Sequence, residues 1–271
     1  NPVFPGVYAW SRLYAGASLV AMEAVDRGEV RCAFNIAGGL HHALPARASG
    51  FCYVNDAAVI LRLLVARGRR VAYVDIDAHH GDGVQAAFYD TDQVLTISLH
   101  ETGETLFPGS GRVEETGRGA GEGYAVNCPL APGTDDAVFV WAFEAVVPPL
   151  LQAFRPDLVV AQLGIDAHRR DPLTHLCLTT HGFTRAVRRL RDLSPAWIAL
   201  GGGGYHPETV ARGWTDAWAL MNHEEPRGAV AEPPDPAPAA PERQRAWRYA
   251  REQVRRLQDL VFPRHGVAPA A

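Results

Sequence analysis

Ten residues in the first third of the chain concentrate acidic groups and imidazoles. The segment VDIDAHHGDG (74–83) contains three carboxylates and two imidazoles directly after an apolar run. Side chains alternate along an extended chain, so Asp75, Asp77 and His79 point to one side if the extension persists. An oxygen of Asp77 and a neutral imidazole of His79 are then spaced to bind one divalent cation. The segment therefore predicts metal chemistry at the end of a buried strand.

A third metal ligand is available further along the chain. Asp166 follows the apolar segment DLVVAQLG (157–164), which is typical of another buried strand. Three protein ligands leave one coordination position open for water, as in catalytic metal sites. Two carboxylates and one imidazole suit Zn²⁺, with Fe²⁺ and Mn²⁺ as alternatives. The simpler interpretation is that Asp77 and Asp166 only cap the segments that follow them.

Paired histidines supply candidate acid–base groups. His41 and His42 follow two glycines that let the backbone turn sharply. Asp75 and Asp82 are free to orient one imidazole each, which fixes the tautomer and raises basicity. One histidine could then act as a general base and the other as an electrostatic or acid partner. Paired histidines that are only polar loop residues are the alternative.

Glycine-flanked aromatic residues complete the candidate site. In GGGGYH (201–206), consecutive glycines let the backbone crowd a small cavity, and the Tyr205 hydroxyl can donate to a carbonyl oxygen that gains negative charge. A phosphate-binding loop is less consistent, because the GxGxxG and GKS/T patterns are absent. Phe51 and Phe107 lie in glycine-flanked loops and could line a narrow channel, although a core position is the default for each.

The elements that must position these residues alternate between strands and helices. In a parallel sheet, ligands bind beyond the carboxyl ends of the strands, where four of the predicted strands deliver ionisable groups. The pattern predicts an α/β fold with a parallel sheet covered on both faces. Pro148 and Pro149 should kink or divide one helix. The predicted strands are 31–36, 69–77, 94–100, about 124–128, 157–164 and 196–200, and the predicted helices are 5–27, 56–68, 83–89, 135–154, 180–193 and about 207–221.

Composition narrows the function classes. The 271 residues are 47% hydrophobic, enough for one sizeable core, and the net charge of −4 carries no basic excess for nucleic acid. No stretch approaches the ~20 apolar residues of a membrane span. Four cysteines without a CxxC pair indicate reduced thiols in a cytoplasmic protein, and Cys52 is interpreted as a small buried side chain. The absence of lysine excludes Schiff-base aldolase and pyridoxal-phosphate chemistry.

Seven motifs in order resemble the zinc-dependent histone deacetylase family, and more closely its bacterial acetoin-utilisation-protein branch. The motifs are GGLHHA, SGFCYVND, YVDIDAHHGDG, TISLH, FPGSG, QLGIDAHRRDPL and LGGGGYH. The likeness runs from Asn1 to about residue 222. It implies an arginase-like, three-layer fold with a mostly parallel central sheet, and hydrolysis of acetyl-lysine amides to lysine and acetate.

The resemblance also implies roles for individual residues. Asp77, His79 and Asp166 correspond to the metal ligands, and Tyr205 to the carbonyl-polarising donor. The catalytic pair would be His41 and His42, backed by Asp75 and Asp82 respectively, with His42 as the main general acid/base. Channel residues would be Gly50, Phe51, Phe107 and Leu173. One potassium ion would lie near Asp75, Asp77, His79, Ser98 and Leu99, and a second near Phe88, Thr91, Val94 and Tyr124.

The resemblance over the first part of the chain, and the composition and helical spacing of the rest, predict the domain organisation. Residues 1–223 would form a catalytic domain, 224–242 a Pro/Ala-rich linker, 243–262 an amphipathic helix and 263–271 a tail. Family members have a further N-terminal region that supplies edge strands of the sheet. Without those strands, the 31–36 strand would be an exposed edge.

We therefore expect metal-dependent hydrolysis of acetylated amines, chiefly N-acetyl-lysine in proteins. A ureohydrolase of the arginase type, an acetylpolyamine amidohydrolase and a non-catalytic domain that binds acetylated ligands are the alternatives. Nucleic acid and membrane partners are not expected. The acyl-amine substrate and the oligomeric state stay open.

Overall fold

The fold is built on one six-stranded parallel sheet. The computed structural model describes residues 1–226 and 238–268. The strands are β1 (Cys32–Asn35), β2 (Val71–Asp75), β3 (Val94–Glu101), β4 (Ala125–Leu130), β5 (Leu158–Gln162) and β6 (Trp197–Leu200). Their order across the sheet is β1-β6-β5-β2-β3-β4, and every pair is parallel. This confirms the predicted α/β architecture.

Seven α-helices in the described residues cover the two faces of the sheet. They are α1 (Val7–Asp26), α2 (Asp56–Ala66), α3 (Asp82–Phe88), α4 (Asp136–Phe154), α5 (Thr180–Leu193), α6 (Pro207–Met221) and α7 (Ala240–Val261). One apolar cluster joins the sheet to α1, α2 and α3, and the other joins it to α4 through α7. Along β2, Val71 and Tyr73 belong to the first cluster, and Ala72 and Val74 to the second. Strands buried on both sides explain the continuous apolar runs in the sequence.

Polar residues fix where several helices begin. The Asn55 side chain accepts the backbone N–H of Ala58 at the start of α2, and Asp135 accepts that of Val138 at the start of α4. Each of these bonds satisfies an amide that has no partner inside its helix. The predicted helices 180–193 and 207–221 agree with α5 and α6 residue for residue.

Pro148 and Pro149 were predicted to kink or divide α4, and of these two outcomes division does not occur. Helix α4 is one continuous helix through Pro148 and Pro149. A proline at 149 cannot donate the helical hydrogen bond to the carbonyl of Ala145. The side-chain amide of Gln258, on α7, donates to that carbonyl instead at 3.2 Å. Tertiary packing thus replaces a hydrogen bond that the local sequence cannot supply.

The expectation that no stretch of the chain approaches the length of a membrane span is wrong for α4. Among the described residues, this 19-residue helix is the one long and apolar enough to cross a membrane by length and composition. Most of its side chains are buried, including Phe139, Phe143 and Phe154. Its hydrophobicity is therefore that of a core helix covered by the sheet and its neighbours.

The C-terminal helix α7 packs into the same core. It begins at Ala240, within the predicted linker. Residues 227–237 of that linker and residues 269–271 of the predicted tail lie outside the described residues. Ala250, Val254 and Leu257 are buried in the cluster that contains α4.

Strand β1 lies at one edge of the sheet. Among the described strands it pairs with β6 alone.

Candidate active site

Three predicted metal ligands meet at the carboxyl ends of the two central strands. Asp75, which ends β2, lies opposite Gln162, which ends β5, so the loops that follow these strands are neighbours. Asp77, His79 and Asp166 are buried there, with one ligand atom from each within 4.8 Å of the others. The His79 Nδ1 atom is 2.9 Å from Asp166 Oδ2 and 3.1 Å from Asp77 Oδ1. Strand β2 ends two residues earlier than predicted, but the geometry still brings the three ligands together.

The charges of this group suit a divalent cation. Burial lowers the pKa of His79, but Asp166 and Asp77 outweigh it and raise that pKa to about 11. Burial and the charge of Asp77 raise the pKa of Asp166 to about 7. Burial alone would raise the pKa of Asp77 too, but His41 and His79 lower it well below its usual value. Two buried carboxylates beside one imidazole thus require positive charge between them, and a divalent cation bound by these three ligands fits.

Glycines let the backbone approach the carboxylates. The Gly203 amide, in the four-glycine run, donates to Asp77 Oδ2 at 2.7 Å. A Cβ atom on Gly203 would lie 2.0 Å from Asp166 Oδ2, and one on Gly164 would lie 2.2 Å from Asp77 Oδ2. Neither position can accept a side chain without moving a ligand, which explains the glycine residues in physical terms.

The paired histidines are held by the two carboxylates that the family resemblance implies. His41 Nδ1 is 2.7 Å from Asp75 Oδ2, and His42 Nδ1 is 2.7 Å from Asp82 Oδ1. The Nε2 atoms of the two rings are 3.0 Å apart. Both Nδ1 atoms therefore donate to carboxylates, and the free Nε2 atoms face each other beside His79.

The two imidazoles have opposite electrostatic environments. Burial lowers the pKa of His41, but the carboxylates of Asp75 and Asp77 raise it to about 9. Burial and the neighbouring positive charge of His41 lower the pKa of His42 to about 4. The network thus contains one imidazolium and one free base, which is an arrangement suited to proton transfer.

Tyr205 borders the same cavity as the histidines and ligands. A cavity of about 50 Å³ is lined by His41, His42, Asp77, His79, Gly203 and Tyr205, among others. Burial and the nearby carboxylates of Asp77 and Asp166 raise the pKa of the Tyr205 phenol, so it stays a donor. Its backbone N–H donates to Asp171 Oδ2 at 2.7 Å, which fixes the residue where it follows the glycines.

The predicted channel residues surround the mouth of this cavity. Gly50, Phe51, Phe107 and Leu173 line a wider opening of about 640 Å³ that also contacts His79. The ring of Phe107 lies 5.0 Å from that of His42 and 6.4 Å from that of His79, between centroids. Phe51, Phe107 and Leu173 are all exposed, so the default core position does not apply to the two aromatic residues.

Cys52 and the predicted potassium ligands are also placed by the structure. Cys52 is buried, and burial raises the pKa of its thiol to about 12, so it stays protonated. Asp75 and Ser98 are direct neighbours on β2 and β3, beside Leu99. Among the residues predicted for the second potassium ion, the Thr91 amide donates to the Phe88 carbonyl at 3.3 Å. Val94 begins β3, and Tyr124 precedes β4. Potassium binding by either set stays a prediction.

Sequence reasoning missed one residue that holds the site together. Gln162 is fully buried, and its side-chain amide donates to Asp77 Oδ2 at 2.8 Å. Its side-chain oxygen accepts the backbone N–H of Gly164 at 2.7 Å. The signal was a single amide in the otherwise apolar strand segment DLVVAQLG, at the end that faces the site.

The comparisons with known proteins agree with the geometry. The model of the histone deacetylase domain family matches residues 1–221. The acetoin utilization protein AcuC of Bacillus subtilis is 42% identical over 83% of this chain and 60% of its own length. Human histone deacetylase 1 is 42% identical over 79% of this chain and 44% of its own.

Solved structures show the same fold. The crystal structure of a histone deacetylase homologue from Aquifex aeolicus has a TM-score of 0.79 and 39% identity, over 94% of this chain and 64% of that one. A further structure of such a homologue, complexed with SAHA, gives the same values. The expected arginase-like α/β fold is confirmed. The chain spans less than two thirds of the length of these relatives.

Proposed function

This chain belongs to the histone deacetylase family, and we propose that it hydrolyses acetylated amines, chiefly N-acetyl-lysine in proteins, to the free amine and acetate. The observation that carries the proposal is the convergence of a three-ligand group, two carboxylate-backed histidines and a tyrosine. Asp77 and His79 of that group, both histidines of the pair and Tyr205 line one cavity of about 50 Å³. Each of these groups answers one requirement of amide hydrolysis.

The histidine pair would manage the protons. Neutral His42, oriented by Asp82, would take the proton of the attacking water at Nε2 and later deliver it to the departing amine nitrogen. His41, held by Asp75, would stay charged and stabilise the negative charge that develops nearby. The opposite directions of their pKa shifts support this division of roles.

The remaining residues would bind and orient the substrate. Asp77, His79 and Asp166 would hold Zn²⁺, or alternatively Fe²⁺ or Mn²⁺, which supplies Lewis acidity and lowers the pKa of water when bound. Tyr205 would donate to the acetyl oxygen as it becomes an oxyanion. Phe51 and Phe107 would line the path of the aliphatic amine chain and exclude water from it.

The observations favour this function over a ureohydrolase. Sites of that type bridge two metals with further aspartates, whereas residues 1–226 and 238–268 contain one group of metal-ligand geometry. We propose that the protein acts in the cytoplasm, on an acetylated protein or a small acetylated amine. The potassium ions implied by the resemblance would have a structural role.

The proposal is tested by acetate release from an acetyl-lysine peptide after loading with Zn²⁺, Fe²⁺ or Mn²⁺. We expect turnover with one equivalent of metal, and loss of turnover in His42→Ala but not in His181→Ala, an exposed histidine on α5. Urea release from arginine with two equivalents of metal would instead indicate a ureohydrolase. Peptide binding without acetate release, equal in the parent protein and His42→Ala, would indicate a binding domain and refute catalysis.

A further inference from the structure

The loop that carries Phe107 is attached to the C-terminal helix as well as to the site. The loop, residues 102–114, leaves β3, presents Phe107 to the histidines and returns toward β4. Helix α7 lies outside the matched family domain, which ends at residue 221. Because α7 is buried in the core through Ala250, Val254 and Leu257, it is a rigid support beside the loop.

Two side chains of α7 reach the two ends of this loop. The Tyr249 hydroxyl donates to Thr102 Oγ1 at 3.0 Å, and the Arg256 guanidinium pairs with Glu114. Tyr249 and Arg256 are seven residues apart, so they lie on one face of the helix. A cavity of about 510 Å³ separates the loop from α7 elsewhere. The loop is therefore held to the helix at points and not by continuous packing.

Thr102 accepts the hydrogen bonds of the turn that precedes Phe107. Its carbonyl accepts the backbone N–H groups of Thr105 and Leu106, at 3.0 and 3.1 Å, and so forms the turn that delivers Phe107. Thr102 is buried, whereas Arg256 and Glu114 are both about half exposed. An exposed ion pair contributes little, so the Tyr249 bond should control the loop more than the Arg256 pair.

The core fixes the arm of the loop after Phe107 by several direct contacts. His80 Nδ1 is 2.9 Å from Ser110 Oγ, and His100 Nε2 is 2.9 Å from the carbonyl of Gly111. Glu115 accepts the N–H of Gly111 at 3.0 Å. These contacts all come after Phe107 in the sequence. The arm before Phe107 is joined to the sheet by the backbone N–H of Thr102, which donates to the Leu130 carbonyl at 2.8 Å, and by the Thr105 hydroxyl, which donates to Glu101 at 2.8 Å. Helix α7 adds the bond from Tyr249 to the Thr102 side chain.

We propose that Tyr249 is a positioning residue for the channel: through Thr102 it holds Phe107 against the histidine pair, so that α7 contributes to substrate binding. The catalytic part of this inference rests on the proposed function. Loss of the Tyr249 bond would leave the metal ligands, His42 and Tyr205 in place. It should therefore raise KM and leave kcat nearly unchanged.

The test compares Tyr249→Phe, Thr102→Val and Arg256→Gln with the matched control Arg255→Gln, an exposed neighbour on α7. We expect Tyr249→Phe and Thr102→Val each to raise KM about three- to tenfold, with kcat within about twofold, because one hydrogen bond is lost. Arg256→Gln should have an effect of about twofold or less, and Arg255→Gln none. In a Phe107→Ala background, Tyr249→Phe should add nothing.

Hydrogen exchange of the amides in residues 103–109 supplies a readout that does not need activity. Exchange there should accelerate in Tyr249→Phe and not in Arg255→Gln. Unchanged exchange and unchanged KM in Tyr249→Phe would overturn the inference, as would parallel loss of kcat and stability without a KM effect. Faster exchange in a protein that releases no acetate would refute the proposed function and leave the loop attachment standing.

Discussion

Replacement of Gln162 by leucine should weaken metal binding more than it weakens the fold. Asp77 Oδ2 accepts two hydrogen bonds, from Gln162 at 2.8 Å and from Gly203 at 2.7 Å, and the substitution removes one of them. Partners that orient a metal ligand are typically worth about 10- to 100-fold in metal affinity, or about 1.4–2.7 kcal/mol. The buried N–H of Gly164 also loses its acceptor, at a cost of about 1–3 kcal/mol of stability.

Gln258→Leu is the matched control for this prediction. Gln258 is also buried, and it also loses one hydrogen bond, to the carbonyl of Ala145, at a place in the core that contacts none of the ligands. Zinc affinity is measured by competition with a chromophoric chelator, and stability by chemical denaturation of the metal-free proteins. We expect both variants to lose stability and only Gln162→Leu to lose affinity. Zinc affinity of Gln162→Leu within twofold of the parent, or an equal loss in both variants, would refute the reasoning.

Three further predictions concern catalysis, pH dependence and the core. Tyr205→Phe should lower kcat by about 10²–10³-fold with unchanged zinc affinity, because one oxyanion donor is lost; steady-state kinetics with kcat unchanged would exclude that role. Burial by itself would raise the pKa of Asp26, but the bonds and charges of Arg67 and Arg69 outweigh burial, so the pKa is lowered. The Asp26 carboxylate therefore stabilises the fold at pH values above the pKa that it has in the unfolded chain. This contribution disappears as the pH falls through the lower pKa that Asp26 has in the folded protein. Asp26→Asn should cost about 1 kcal/mol at pH 7 and little in strong acid, as measured by urea unfolding; a pH-independent difference would contradict this. Leu257→Ala should cost about 2–5 kcal/mol in one cooperative transition, whereas separate melting of α7 would show that the helix is not part of the core.

Local chemistry made much of the site predictable. Consecutive acidic and imidazole groups at the ends of apolar strands, as at Asp77 and His79, have few structural uses, and parallel strands bring their carboxyl ends to one edge. Tyr205 was identified in the same way, because a run of glycines before a lone phenol is costly for a simple turn. The pairing of each histidine with its carboxylate came from the family resemblance and agrees with the observed distances.

Other features depend on contacts between distant parts of the chain. Gln162 looks like an ordinary polar residue until β5 and β2 are side by side and its amide meets Asp77. The prolines of α4 remove local hydrogen bonds, yet the helix continues, and the Gln258 side chain from α7 donates to the Ala145 carbonyl that Pro149 cannot serve. The apolar composition of α4 satisfies the requirements of a membrane span, and only the surrounding sheet and helices identify it as a core helix.

The sequence by itself determined the order of strands and helices, the chemical groups at the strand ends and the family. These features follow from local properties: the periodicity of apolar residues, the positions of glycine and proline, and side-chain chemistry. Local properties can be inferred from the sequence without coordinates. The tertiary structure decided which amide holds Asp77 and how α7 reaches the loop of Phe107. Those relations depend on distances of about 3 Å between residues far apart in the chain, and the packing of the whole core sets such distances.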